Sequence, residues 1–273
     1  MAFDDQGLAQ RFLTLHRPGR PLLLPNPWDR GSAVLLASLG FEALATTSAG
    51  FAATLGRADG SVTREEAIGH AAEIVLATDL PVTADLENGF ADEPAGVAET
   101  VRQAAAAGLA GCSVEDYTGR GDDPIYDAAR AAARVEAAAE AAHGGRARLV
   151  LTARAENHLR GRPDLADTIA RLQAYQEAGA DVLYAPGLTS LDDIGRLVAA
   201  VDRPVNVLAR PGVPPVAELA GAGVARVSVG GGFAFTALGA VVEAARELRE
   251  QGTYGFWELA AVGAEGAASA FGG

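Results

Sequence analysis

The feature that most constrains this chain is a series of eight short apolar runs separated by longer amphipathic segments. The runs are continuous and lack the apolar–polar alternation of a half-exposed sheet, which indicates parallel strands that are buried on both faces. We predict one strand in each of the runs 22–25, 43–48, 81–85, 111–115, 148–154, 181–185, 204–208 and 225–229.

Helical segments fill the intervals between the predicted strands. Gly40, Gly108 and Gly179 follow three of these segments, at the position where a glycine often ends a helix. We predict helices at 29–39, 63–78, 94–107, 126–142, 163–177, 191–199, 213–220 and 233–250. Eight strand–helix units in 273 residues predict an α/β fold, a single (β/α)₈ TIM-type barrel domain spanning residues 1–273.

Residues 253–273 follow the last barrel unit and are predicted to form a C-terminal extension. Phe256, Trp257, Leu259 and Ala260 predict a short apolar helix within it. The sequence leaves two interpretations of this helix open. It docks on a partner subunit, or it packs against its own barrel.

The acidic balance of the chain excludes several classes of partner. The chain has 22 basic and 35 acidic residues, which gives a formal net charge of −13. A general nucleic-acid-binding protein, or one that docks on an anionic membrane, needs a basic surface, so we expect neither partner. All 22 basic residues are arginine. This excludes a Schiff-base aldolase, a pyridoxal-phosphate enzyme and a Walker-type P-loop, since each needs a lysine amine.

The single cysteine, Cys112, excludes an intramolecular disulfide and is compatible with a reducing cytoplasm. We expect a cytoplasmic protein, because the first residues carry acids where a signal peptide carries bases. We expect no transmembrane helix, since the chain has no apolar, uncharged stretch of the necessary length. Strand alternation turns Cys112 towards the helices, which predicts a small buried residue and not a nucleophile.

Acidic side chains end two successive predicted strands, and the active site of a barrel lies at such strand ends. Asp85 ends the third strand, Glu87 follows two residues later, and Glu115 ends the fourth strand. Three carboxylates in one barrel mouth repel each other unless a cation neutralises them, and Mg²⁺ prefers oxygen ligands of this kind. We therefore predict a metal site, with solvated loop acids or salt bridges to Arg154 as the alternative interpretation.

Two further strand ends offer groups that bind an anion. Ser48-Ala49-Gly50 follow the second strand, and such small residues let backbone N–H groups approach a ligand oxygen. Arg154 ends the fifth strand and could hold a carboxylate with two parallel hydrogen bonds. The alternatives are a plain tight turn at residues 48–50 and an ion pair between Arg154 and Glu115.

Four segments together resemble the isocitrate lyase/phosphoenolpyruvate mutase superfamily. They are Thr46–Gly50, Asp85-Leu86-Glu87-Asn88-Gly89, Val114-Glu115-Asp116 and Thr152-Ala153-Arg154. The resemblance extends from about residue 22 to residue 252 and implies a barrel enzyme that binds a small 2-oxo acid or dicarboxylate with Mg²⁺, or with Mn²⁺ in its place. It also implies a homo-oligomer, a dimer or a tetramer, because barrels of this family exchange their last barrel helix between subunits.

The resemblance implies a role for each of the acids. Asp85 resembles the direct Mg²⁺ ligand of the family. Glu87, Glu115 and Asp59 resemble the acids that hold metal-bound waters. Glu87 stands where many members have an aspartate, which lengthens the side chain by one methylene and keeps the acid.

The resemblance also implies how substrate is bound. Ser48, Ala49 and Gly50 resemble the loop whose backbone N–H groups bind the 2-oxo oxygen and the carboxylate. Arg154 resembles the arginine that contacts the substrate carboxylate. We add Tyr184 and Asn206, on the sixth and seventh strands, and Asp85 to the predicted substrate-binding residues.

The segment after the fourth strand departs from the family. Isocitrate and methylisocitrate lyases carry Lys-Lys-Cys-Gly-His there, whereas residues 117–123 contain no lysine, cysteine or histidine. The general acid of those lyases is therefore missing, and our candidate catalytic residues are Arg154, Glu115, Tyr117 and His158. Arg120 in the same loop is a candidate for holding a second carboxylate.

We predict a Mg²⁺-dependent lyase that binds a 2-oxo acid or its enolate and cleaves a carbon–carbon or carbon–phosphorus bond next to C3. An oxo-acid decarboxylase and a 2-hydroxy-diacid lyase are examples. Two other interpretations remain. Gly230-Gly231-Gly232 before a helix could bind the phosphate of an ester, as many barrels do. A barrel that keeps the metal site without the lyase loop could also bind 2-oxo acids without turnover.

Overall fold

The computed structural model describes residues 5–145 and 147–272 and confirms the predicted (β/α)₈ barrel. The parallel strands are β1 (Leu22–Leu24), β2 (Leu44–Ala45), β3 (Val82–Asp85), β4 (Gly111–Glu115), β5 (Val150–Arg154), β6 (Val182–Tyr184), β7 (Val205–Leu208) and β8 (Arg226–Ser228). They are hydrogen-bonded in the order β1-β8-β7-β6-β5-β4-β3-β2. Each strand lies within the apolar run that predicts it.

Eleven helices lie within the described residues. They are α1 (Asp5–Thr14), α2 (Arg30–Ser38), α3 (Ser48–Thr54), α4 (Arg64–Val75), α5 (Pro94–Ala106), α6 (Ala128–Gly144), α7 (Leu165–Glu177), α8 (Leu191–Ala199), α9 (Val216–Gly221), α10 (Gly232–Gln251) and α11 (Trp257–Phe271). Eight of them match the predicted helices, whereas α1 and α3 are additional and α11 is longer than expected. None of the described helices is long and apolar enough to cross a membrane.

The side chain of Asn26 joins the two ends of the strand order. Its Nδ2 donates to the carbonyl of Thr46 at 2.8 Å, and its Oδ1 accepts from the backbone N–H groups of Val229 and Gly230. The Ala45 N–H also donates to the Pro25 carbonyl at 3.0 Å. These bonds connect the segments after β1, β2 and β8 and therefore close the barrel at its mouth.

Side-chain alternation divides the apolar residues into two clusters, as the strand parity predicts. The larger cluster lies between the strands and the helices and contains Cys112 and Val114. Burial raises the pKa of the Cys112 thiol to about 12, so Cys112 is the predicted small core residue and is not an activated nucleophile.

Helix α1 packs against the strands through a second, smaller cluster. Phe12 and Ala9 of this helix lie with Leu22, Val150 and Val182, all of them buried. The end of α1 places His16 beside Arg226, a buried cation of β8. No carboxylate of the described residues lies within ion-pair distance of Arg226.

His16 is built into the fold as a neutral imidazole. Its Nδ1 lies 2.9 Å from the Phe12 carbonyl, and its Nε2 lies 3.2 Å from Nη1 of Arg226. A carbonyl only accepts and a guanidinium only donates, so Nδ1 carries the proton and Nε2 accepts. Burial, followed by the charge of Arg226, lowers the pKa of His16 to about 3.

The last two helices leave much of their apolar surface exposed. Helix α10 has one buried side chain, Ala234, while Val241 on the same helix is 65% exposed. Leu23, which points outward from β1, is 43% exposed, although the outer face of a barrel strand is normally covered by a helix. Helix α11 contacts α2, where Phe271 approaches Gly31, but its Trp257 remains 66% exposed.

Acidification should destabilise this fold through His16. The folded pKa of about 3 lies below the ordinary value of 6.5, so the unfolded chain binds the extra proton between these pH values. Stability from this group is complete above pH 6.5 and decreases as the pH falls towards 3. We expect the free energy of unfolding of wild type to decrease between about pH 6 and 4. Its decrease per pH unit should exceed that of His16→Gln by up to about 1.4 kcal/mol. Urea titrations measure both slopes, and equal slopes would contradict a buried neutral His16.

Candidate active site

A cavity of about 210 Å³ opens at the carboxyl ends of the strands. This volume is below the range of typical drug-sized pockets, so the cavity suits a ligand of few heavy atoms. Polar side chains supply much of its lining, from Asn26, Thr46, Thr47, Ser48, Asp59, Thr83, Asp85, Ser113, Thr152, Arg154, Tyr184, Asn206, Arg226 and Ser228. Thr83 with Asp85, and Thr152 with Arg154, face the lumen as alternation predicts.

Arg154 lies at the centre of the charged groups. Its Nη1 is 2.9 Å from Oδ1 of Asp85, and its Nη2 is 2.9 Å from Oε2 of Glu115 and 2.7 Å from Oε1 of Glu156. Burial by itself would lower the pKa of Arg154, but Glu115, Glu156 and Asp85 together raise it well above its ordinary value. The ion pair with Glu115, the sequence alternative to a substrate clamp, is therefore present in this structure.

Asp85 is held in place by groups from β2 and α3 as well as by Arg154. Its Oδ2 accepts from the Ser48 hydroxyl at 3.0 Å and from the Ser48 N–H at 3.3 Å. The Asp85 N–H donates to Oγ1 of Thr46 at 2.9 Å. The carboxylate thus faces the cavity from a fixed position.

The segment 48–50 is not the loop that we expected but the first turn of α3. Thr47 caps this helix, and its Oγ1 accepts from the Gly50 N–H at 3.3 Å. The Gly50 N–H thus already has an internal acceptor, and its expected role as a donor to substrate stays a prediction that requires this bond to open. The Ala49 N–H has no acceptor within the residues that the structure describes. Gly50 is needed for packing, because a Cβ there would lie 3.1 Å from the Cβ of Trp28.

Glu87 and Asp59 line a second cavity of about 430 Å³, together with Ser48, Glu115 and Arg154. The Oε1 atom of Glu87 is buried and has no hydrogen-bond partner among the described residues. Burial, with the charges of Asp85 and Asp59, raises the pKa of Glu87 to about 7. Across residues 5–145 and 147–272, no three acidic, histidine or cysteine side chains form a ready-made metal cluster. Glu87, Asp59 and Glu115 share the larger cavity, whereas Asp85 lines the smaller one, and Asp85 and Glu115 are paired with Arg154.

Glu115 is the most deeply buried of the predicted metal-site acids. Desolvation, with the neighbouring charges of Glu156 and Asp85, raises its pKa well above the ordinary value, although Arg154 acts in the opposite direction. Asp116, the next residue, points outward instead. It accepts from the hydroxyl of Tyr175 at 2.7 Å, so it anchors helix α7 and does not face the cavity.

The other predicted catalytic and binding residues differ in their placement. Tyr117 lines the larger cavity and Tyr184 the smaller one, where its ring lies 5.2 Å from the Arg154 guanidinium. Asn206 also borders the smaller cavity, but its amide groups are engaged by Arg226 and Ser228. In this structure Asn206 therefore holds Arg226, and its role in substrate binding stays a prediction.

His158 does not line either cavity, so this geometry lends no support to its predicted catalytic role, which stays a prediction. Burial lowers its pKa, and the charges that act on it come from Asp164 and Asp193, outside the barrel mouth. Its Cβ packs against the backbone at Gly187, a glycine with φ of +98°.

Two residues of the site were missed by the sequence analysis. Glu156 is fully buried and binds Arg154 through Nε at 3.0 Å as well as Nη2. Arg160 lines the larger cavity, with its guanidinium 3.4 Å from the centre of the Tyr117 ring. The spacing of two residues between Arg154 and Glu156 could have predicted that both side chains lie on the same face. No pattern in the sequence predicts the contact between Arg160 and Tyr117.

The glycines after β8 do not form an open phosphate site. The Gly230 N–H donates to Oδ1 of Asn26 at 2.9 Å, and the Gly232 N–H donates to the Val229 carbonyl at 3.0 Å. Two of the three N–H groups that would bind a phosphate therefore have internal acceptors. This geometry disfavours the phosphate-ester interpretation.

Arg134 holds the segment that carries Glu87. Glu87 and Phe90 have φ values of +48° and +53°, a backbone region that non-glycine residues rarely adopt. Arg134, which is 1% exposed, donates to the carbonyls of Asn88, Ala91 and Asp92, the last two at 2.6 Å. These bonds stabilise the strained turn and with it the position of Glu87.

We expect Arg134→Lys to lower the free energy of unfolding by about 2–3 kcal/mol, because one ammonium group cannot replace the hydrogen bonds of a guanidinium fork. Hydrogen exchange at residues 88–92 should accelerate. Arg130→Lys is the matched control, since its pair with Glu93 is exposed and a change within about 0.5 kcal/mol is expected. Equal stabilities of the two variants would contradict the role of Arg134.

Comparison with known proteins identifies relatives over most of the chain. The family model described as phosphoenolpyruvate phosphomutase matches residues 12–249. An uncharacterized protein of Mycobacterium tuberculosis is 35% identical over 246 residues, which cover 88% of this chain and 89% of that one. A crystal structure from Burkholderia cenocepacia is 52% identical, covers 93% of this chain and 92% of its own, and has a TM-score of 0.91.

The structure of oxaloacetate acetylhydrolase in complex with its product oxalate also superposes on the barrel. It is 26% identical, covers 92% of this chain and 89% of its own, and has a TM-score of 0.82. The relatives include lyases, mutases and hydrolases of carbon–carbon or carbon–phosphorus bonds. The family model and the relatives match most of the chain, and the acids at the ends of β3 and β4 are those that the sequence motifs of the family predict. The chain therefore belongs to the isocitrate lyase/phosphoenolpyruvate mutase superfamily.

Proposed function

We propose that this protein is a Mg²⁺-dependent lyase that binds a 2-oxo acid and cleaves a carbon–carbon or carbon–phosphorus bond next to C3. The observation that carries the proposal is the convergence of Asp85 and Glu115 on Arg154, which lines both the small cavity at the barrel mouth and the larger cavity beside it. An enzyme of this kind must stabilise the enolate oxygen that develops at C2 when the bond to C3 breaks. It must also hold the substrate carboxylate in a fixed orientation.

The residues at the mouth fit a magnesium ion. Glu87 offers a buried carboxylate oxygen without a partner, and the charges of Asp85 and Asp59 act on it. Mg²⁺ binds to few carboxylates directly and keeps several waters, so acids dispersed over two adjoining cavities suit it better than a tight cluster. Asp85 would hold the ion directly, and Glu87, Glu115 and Asp59 would hold its waters; Mn²⁺ has the same ligand preference. The ion supplies a positive charge beside the developing enolate oxygen.

The remaining groups would bind and orient the substrate. The Ala49 N–H has no internal acceptor in the described part of the chain, so it is available to a ligand oxygen. The Ser48 hydroxyl, which donates to Asp85 in this structure, would exchange that bond for one to the ligand. Arg154 would exchange one of its bonds to Asp85 or Glu115 for a bond to the substrate carboxylate. Tyr117 and Glu115 line the larger cavity and are the groups placed to transfer a proton.

Calorimetric titration with oxalate, an enolpyruvate mimic, tests this proposal. Wild type should bind oxalate with Mg²⁺ and lose at least about tenfold in affinity after chelation with EDTA, because the ion would supply positive charge for the ligand's oxygens. Asp85→Asn should abolish the Mg²⁺-dependent part, whereas Asp202→Asn, a surface change, should leave it intact. Absence of oxalate binding in wild type would refute the 2-oxo-acid site. Binding without product from any oxo-diacid or phosphonopyruvate would favour the non-catalytic interpretation.

We also propose a homo-oligomer, a dimer or a tetramer, in which helix α10 of one copy covers the barrel of another. Leu23 on the outside of β1 lacks a covering helix, and the apolar side chains of α10 lack a surface to cover. Both surfaces are apolar and exposed, so each can bury the other when two copies of this chain associate. Trp257 and Val262 of α11 are further exposed apolar side chains.

Sedimentation velocity tests the oligomer. Wild type should sediment as a dimer or tetramer of the 27.8 kDa chain, since exposed apolar area of this extent favours association. Val241→Asp should shift it to monomer, because a buried charge opposes the interface. Glu243→Gln on the same helix, in an exposed pair with Arg246, is the control and should not change the mass. A monomeric wild type at micromolar concentration would contradict the proposal.

A further inference from the structure

We propose that Arg160 binds a second anionic group of the substrate, so that the enzyme selects 2-oxo acids that carry a negative charge at the end remote from the 2-oxo carboxylate. This inference rests on the proposed function, because it requires the 2-oxo-acid end to lie at the barrel mouth. It assigns a specificity role to a residue outside the four segments that identify the family.

The side chain of Arg160 has hydrogen-bonding capacity that no described residue uses. Its Nη2 lies 3.6 Å from Oε2 of Glu156 and 4.0 Å from Oε1 of Glu115, both beyond hydrogen-bonding distance. Its Nε is buried and has no hydrogen-bond partner within the described ranges. Buried donors are nearly always satisfied, so a ligand is the natural acceptor for these groups.

The neighbouring acids do not neutralise Arg160 tightly. Glu156 directs its Oε1 to Arg154 through two hydrogen bonds of 2.7 and 3.0 Å, and Glu115 also pairs with Arg154 at 2.9 Å. Both acids therefore pair with Arg154, and the positive charge of the Arg160 guanidinium faces the cavity. Arg120, the sequence candidate for a second clamp, lies 3.5 Å from the exposed Asp92 and does not line either cavity.

Tyr117 fixes the orientation of the guanidinium. The Arg160 group lies 3.4 Å from the centre of the Tyr117 ring, which is the contact distance of a stacked pair. Stacking covers a face of the guanidinium and leaves its N–H groups free in the plane, where they can bind an anion through two parallel bonds. The Tyr117 backbone is itself tied to Ile125 by a bridge, so the ring is supported by the loop after β4.

The two cavities are continuous in their lining. Ser48, Asp59 and Arg154 line both the 210 Å³ cavity and the 430 Å³ cavity that contains Arg160 and Tyr117. A ligand whose carboxylate lies near Ser48 and Arg154 would therefore extend its other end into the cavity of Arg160. A carboxylate and a phosphonate both match the guanidinium fork, and the experiment must separate them.

Three ligands and four proteins test the inference by calorimetric titration in the presence of Mg²⁺. Oxalate has no remote group, 3,3-difluorooxaloacetate carries a remote carboxylate, and phosphonopyruvate carries a remote phosphonate. The proteins are wild type, Arg160→Gln, Arg160→Lys and Arg162→Gln. Arg162 is an exposed arginine two residues away and is the matched control.

Arg160→Gln should weaken binding of at least one of the longer ligands about 10- to 100-fold, which is the usual effect of losing a charge-assisted hydrogen bond. Its affinity for oxalate should change less than about threefold, and Arg160→Lys should be intermediate because it keeps the charge without the fork. The longer ligand with the larger loss identifies the remote group. Arg162→Gln should match wild type with all three ligands.

Other outcomes overturn the inference. An equal loss of oxalate and of the longer ligands in Arg160→Gln would assign Arg160 to the general structure of the site. Unchanged affinity of Arg160→Gln for both longer ligands would remove Arg160 from substrate recognition, as would an equal loss in Arg162→Gln. If wild type fails to bind oxalate, the proposed function falls as well, whereas oxalate binding with no Arg160-dependent preference overturns this inference only.

Discussion

The mouth of the barrel depends on the buried guanidinium of Arg154. Carboxylates from Asp85, Glu115 and Glu156 converge on it, and in a medium of low dielectric they would repel each other strongly without an intervening cation. Arg154 therefore allows these acids to be packed into the site of a folded protein. Because a metal ion or a substrate can take over part of this pairing, the balance of charge as well as the shape of the cavity determines what binds.

The barrel and the direction of its strand side chains could be predicted from the sequence because both follow from short-range geometry. The alternation along β4 places Glu115 in the lumen and Cys112 among the helices, and the same rule holds for Arg154 on β5. Helix α3 could not be predicted in this way. Its seven residues are too few for a helical period, and its first turn depends on Asp85, which is 37 positions away in the chain from Ser48.

Sequence patterns do not predict where the side chains of the loop residues after β5 lie. Glu156 lies two residues after Arg154, the spacing that places side chains on the same face of a strand. However, β5 ends at Arg154, so strand alternation alone does not fix the position of Glu156. His158 continues the same spacing but does not line either cavity, because the backbone beyond the strand no longer alternates. Arg160 faces the cavity through a stacking contact with a ring from another loop. Contacts between loops are tertiary, and no local period encodes them.

Cys112 is fully enclosed between β4 and the surrounding helices, and it is the single cysteine of the chain. A thiol reagent can therefore label the protein at one place, and only when the outer layer of the barrel opens. The rate of labelling would follow the free energy of that opening and not the chemistry of the thiol alone. The labelling rate of Cys112 thus reports local opening of the barrel. A ligand that stabilises the strand ends would slow the labelling of this thiol, although Cys112 faces the helices and not the cavity.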